Sequence, residues 1–71
     1  MKLIRQELEK IYDQYGYQLF ACALSVLGNK ELAEDAVHDA FCRCLRLAEL
    51  PNNFRAYLFR SVRNAAVDIL R

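Results

Sequence analysis

The residues best equipped for chemistry in this chain stand close to its C-terminal end. The stretch FRAYLFRSVRNAAVDILR, Phe54 to Arg71, carries Arg55, Arg60, Arg63 and Arg71 together with Asn64 and Tyr57. Guanidiniums hold phosphate oxygens bidentately, a carboxamide pairs with base edges, and an aromatic ring stacks on an unpaired base. At 100° per residue, Phe54, Leu58, Ser61, Val62, Ala65 and Ile69 form one apolar stripe. Arg60, Arg63, Arg71, Asn64 and Tyr57 then share the opposite arc, while Arg55 falls at the margin of the stripe. Such an arc suits nucleic acid. The competing reading is a solvated helix face that uses Arg as a good helix former.

A second constellation lies in the middle of the chain. Glu34, Asp35 and Asp39 share a helical face with His38, Cys42 and Arg46. Acids early in a helix complement its dipole, which accounts for Glu31 and Glu34 but not for Asp39, beyond the first turn. The functional reading is a docking surface for a basic partner. His38 and Cys42 are spaced i, i+4 and could reach one metal ion, but a structural zinc site wants four ligands. Cys22 and Cys44 fall on the expected core side, so the pair reads as ordinary surface and no metal or cofactor is called for. Neither a Ser/His/Asp arrangement nor paired carboxylates in a pocket can be found. Two glycines in all cannot build a phosphate-cradling loop, and the chain does not read as an enzyme.

These residues need elements to hold them. The chain has 71 residues, 55% of them hydrophobic, with two Gly and one Pro. That is enough for one small domain with a core, and it favours a few long helices over many short strands. No stretch approaches the roughly 20 apolar residues of a membrane span. The start, MKLIRQELEK, lacks the unbroken apolar run of a signal peptide, so a cytoplasmic protein with no membrane partner is expected. Three cysteines do not suggest a secreted disulfide framework. Charge is uneven: residues 1–50 hold six basic side chains against eight acidic, residues 51–71 four against one. The C-terminal part attracts phosphate and the rest repels it.

Gly28-Asn29 reads as a helix stop followed by an Asn cap, and Leu50-Pro51-Asn52-Asn53 as a second corner. Three helices follow, at about 2–27, 30–48 and 53–70. The first has a stripe of Ile4, Leu8, Ile11 and Tyr15, and then LFACALSVL, apolar nearly all round. Gly16 inside it marks a close approach or a bend. The second turns Leu32, Ala33, Ala36, Val37, Ala40, Phe41, Cys44 and Leu45 inward. The expected fold class is an all-α three-helix domain.

The segments LGNKELAEDAVHDAF and PNNFRAYLFRSVRNAAVDILR, preceded by IYDQYG, together resemble region 2 of bacterial RNA polymerase sigma factors, most of all the extracytoplasmic-function (ECF) group. The resemblance covers nearly the whole chain and rests on the last two motifs jointly. It implies a module that docks on the clamp helices of the largest subunit of the RNA polymerase core, through positions that correspond to Asp35, His38 and Asp39. It also implies that the third helix and the loop before it, with Asn52 and Asn53, engage the promoter −10 element. There the non-template strand is opened and a base is flipped into the loop. Tyr57 then stands at the aromatic position of the family's "F-x-x-W" and Asn64 at the Asn of its "A-R-N". Arg60, Arg63 and Arg71 would face phosphates. His38 stands for the usual Gln and Tyr57 for the usual Trp. No helix-turn-helix domain for the −35 element lies within these residues, so region 2 alone is expected. The resemblance leaves room for an anti-sigma partner. The alternatives are a small helical protein-interaction module whose arginines are only solvated, and a stand-alone duplex-binding helix-turn-helix protein. The proline-containing second corner argues against the latter.

Overall fold

A computed structural model describes residues 4–47 and 51–71, with the side chain of Ile4 outside the description. The expectations placed on residues 1–3 and 48–50, and on the Ile4 side chain, therefore lie outside the described residues. Among the described residues three helices form: α1 Ile4–Leu27, α2 Lys30–Cys44 and α3 Phe54–Leu70. The all-α expectation is met.

Both corners form as their residues dictate. The Gly28 N–H donates to the Leu24 carbonyl at 2.7 Å, and Gly28 adopts φ +64°, the left-handed conformation that closes a helix. Asn29 is extended, and its side-chain oxygen accepts the Leu32 N–H at 2.9 Å. Asn53 caps α3 in the same way, accepting the Ala56 N–H at 3.4 Å.

Each helix packs on the other two. At a rise of about 1.5 Å per residue the 24 residues of α1 extend roughly 36 Å, which sets the 38 Å long dimension of the domain. The core is built from Leu8, Leu19 and Ala23 of α1, Ala33, Ala36, Val37, Ala40 and Cys44 of α2, and Leu58, Val62, Ala65 and Ala66 of α3. Half of these are alanines, and small side chains at a contact let helix axes approach closely. Phe20, Phe41, Phe54, Tyr57 and Phe59 close the core from its edges. At Gly16 the nearest atoms belong to α1 itself and not to a neighbouring helix, and α1 runs on through it. A Cβ there would meet the ring of Tyr12, a turn earlier in the same helix, at 3.4 Å.

Several positions depart from the expected wheel. α2 ends at Cys44, short of the expected 48. Beyond it the Arg46 N–H donates to the Arg43 carbonyl and the Leu47 N–H to that of Cys44. These i to i+3 bonds tighten the chain, the helical phase no longer applies, and Leu45 is 42% exposed. Leu32, in the first turn of α2, is 38% exposed, and Ile69, in the last turn of α3, is 37% exposed. A stripe is buried only where a neighbour extends alongside it, and helix ends outrun their neighbours. Conversely Ala66 is fully buried, a position readable from its place four residues after Val62.

Candidate functional site

Among the described residues the core contains no polar or charged side chain. The described polar side chains are therefore outside the core, and those singled out from the sequence lie in two arrays. Arg60, Arg63 and Asn64 of α3 and Arg71, its C-cap, are exposed, and none of these arginines forms an ion pair among the described residues. Four of the five members of the expected arc are thus brought together on one open helix face. Tyr57 is the exception. Its ring is half-buried and packs against the core cluster, so it stands at the border between core and arc. Asn52 and Asn53 are exposed at the start of α3, and the side chain of Asn53 is engaged in capping.

Arg55 has a different place. Its Nη1 donates to the hydroxyl of Tyr15 at 3.1 Å, and its guanidinium carbon lies 5.3 Å from the centre of the Tyr15 ring. The Tyr15 ring also meets Phe59 edge-on, with centroids 6.4 Å apart. Arg55 thereby ties the first turn of α3 to α1 through a cation–π contact and a hydrogen bond. Its position at the margin of the stripe was visible in the sequence, but its partner, 40 residues away, was not.

On α2, Asp35 and His38 are exposed and Asp39 is half-buried. The Asp39 carboxylate pairs with the Arg43 Nε at 3.1 Å, an i, i+4 bridge that offsets part of the acidity of this face. His38 Nε2 and Cys42 Sγ are 3.4 Å apart, the distance of a weak hydrogen bond. Among the described residues no three His, Cys, Asp or Glu side chains gather as metal ligands would. Cys44 is fully buried, and desolvation pushes its thiol above the ordinary range. Cys22, placed in the core by the wheel, is half-buried.

One acidic residue changes sides on folding. Asp68 is the lone acid of the basic C-terminal segment, yet it lines the same groove as Asp35, His38 and Asp39, between α2 and α3. Nothing in the one-dimensional charge pattern gives that placement.

The described residues thus form an apolar three-helix core with a cationic face on one side and an acidic face on another. The sequence model of the family described as Sigma-70 region 2 matches residues 11–71. No curated protein and no solved structure matches the chain. The chain belongs to the sigma-70 region 2 family. That family is not one of enzymes, and it serves sigma factors in transcription initiation, with RNA polymerase core and promoter DNA as its general partners. No helix among the described residues is long and apolar enough to cross a membrane.

Proposed function

We propose that this chain is region 2 of a sigma factor of the ECF type, with the whole of α1 to α3 forming one domain. It docks on the clamp helices of the polymerase through α2 and engages the non-template strand of the −10 element through α3. Polymerase performs the catalysis, and this module recognises the element and helps to hold the melted strand.

The observation that carries this reading is the exposed α3 face. Arg60, Arg63 and Arg71 neutralise phosphates, a contact independent of sequence, and Asn64 beside them reads a base edge. Tyr57, held against the core with part of its ring open, stacks on an unpaired base as a fixed platform. Asn52 and Asn53, ahead of α3, border the site of the flipped base. A helix built only for solubility has no need to gather three guanidiniums that form no ion pair among the described residues, and a carboxamide beside them.

Docking is assigned to Asp35, His38 and Asp39. The Asp39–Arg43 bridge is exposed and worth only about 0.3–0.5 kcal/mol, so a basic partner can compete for that carboxylate at little cost. The test is Asp35→Ala combined with Asp39→Ala, measured by pull-down with polymerase core and by thermal melt. Weakened binding with a nearly unchanged melt is expected. Unchanged binding with a lowered melt would refute the docking role.

A further inference from the structure

The groove between α2 and α3, about 640 Å³, brings together residues of two helices that the sequence keeps apart. Asp35, His38 and Asp39 line it from α2, and Ala65, Asp68 and Ile69 from α3. We infer that the docking surface is composite: Asp68 and Ile69 stand with Asp35 and Asp39 around a seat for one long cationic side chain, lysine or arginine, of the partner's helix. This rests on the docking reading above and names the chemistry that reading leaves open.

Three features support it. Asp68 lies in the last turn of α3, a turn that has no basic residue, and a carboxylate there opposes the helix dipole. It therefore does nothing for the helix that carries it. Its side chain is exposed, and among the described residues it forms no ion pair.

The groove also has an apolar wall. Ile69 is 37% exposed although it belongs to the apolar stripe of α3, and it lines the groove with the nearly buried Ala65. Lysine and arginine lay their methylenes along apolar surface while the charged head reaches for acids or water. An isoleucine flanked by carboxylates is matched to such a side chain.

The charge balance points the same way. Arg43 and Arg46 also line the groove, but Arg43 is already engaged by Asp39. Three carboxylates, Asp35, Asp39 and Asp68, stand against two guanidiniums. Asp35 and Asp68, which form no ion pair among the described residues, come from different helices, so neither helix alone makes the seat.

The experiment measures affinity of the 71-residue chain for purified polymerase core without DNA, with a thermal melt of each variant. Asp68→Asn should weaken core binding about two- to fivefold, the scale of a partly exposed ion pair. Its melting temperature should hold or rise, since an unfavourable dipole interaction is removed. Ile69→Ala should also weaken binding. Asp35→Asn together with Asp68→Asn should lose less than the product of the single losses, because both acids hold one cation. If Asp35→Asn weakens binding and Asp68→Asn does not, the composite seat is overturned while α2 docking stands. A lowered melt with unchanged affinity for Asp68→Asn would make it an internal partner of Arg46 and overturn the seat. Strictly additive losses would overturn the shared cation. If no variant at either acid changes affinity, the docking reading falls and this inference falls with it.

Discussion

Removing the arginines of α3 one at a time separates phosphate contact from base reading. Arg60 lies within α3 and Arg71 is its C-cap, eleven positions on, so at about 1.5 Å per residue the cationic face extends roughly 16 Å. That length spans several phosphates of a single strand. Each phosphate contact to single-stranded DNA adds about 0.7 to the slope of log affinity against log salt. Three arginines together then contribute a slope of roughly 2, a loss of about 18-fold between 50 and 200 mM salt. Replacing one by alanine should flatten the slope by about 0.7, equally on matched and scrambled −10 oligonucleotides. Asn64→Ala should behave in the opposite way. It should cost about 1–3 kcal/mol on the matched sequence and little on the scrambled one, with the salt slope unchanged, because a carboxamide displaces no counterion. Tyr57→Ala should lose about 1–3 kcal/mol of stacking, more on bubble DNA than on closed duplex. Because the Tyr57 ring also packs on the core, its melt must be followed alongside. The assay is binding of each variant, in complex with polymerase core, over a salt series. Equal losses for Asn64→Ala on both sequences would refute base reading. Unaltered slopes for all three arginine variants would make the face merely solvated and favour a protein-interaction module.

Three further outcomes follow from the packing. Alkylation of the folded protein should label Cys42 and Cys22, both half-buried, ahead of Cys44, which is fully enclosed and whose thiol is pushed up by desolvation. The folded state holds that Cys44 proton more tightly than the unfolded chain, so stability should fall as pH rises past 9.0, the ordinary thiol value; first labelling of Cys44 in a mass-spectrometric time course would refute its burial. Tyr15→Phe keeps the ring under Arg55 and removes only the hydroxyl that accepts from it. A loss at or below about 0.5–1.5 kcal/mol is expected by chemical denaturation, and a loss of several kcal/mol would mean that the tether does more than one hydrogen bond can.

What the sequence by itself determined is local. The left-handed glycine at position 28 and the caps at Asn29 and Asn53 depend on residues within a turn of one another, so they were legible from residue type. The periodicity of α2 and α3 likewise gave Ala33, Ala36, Val37, Ala40, Leu58, Val62 and Ala65 as core, because the centre of a stripe is covered by any neighbour. The exposed arginines and Asn64 were legible for the complementary reason, since the side opposite a packed stripe has nothing to meet. The tertiary structure decided everything that depends on where a neighbour stops or what it carries. Leu32 and Ile69 are partly open because they lie in terminal turns, where cover depends on how far a neighbour extends, and Leu45 because α2 ends before it. Tyr57 is drawn half into the core, and Arg55 finds Tyr15 across 40 residues of chain. Asp68 leaves the basic segment that contains it to face the acids of α2. A wheel fixes the angle of a side chain about its own axis, but the partner at that angle is set by how three axes pack, and only folding supplies that.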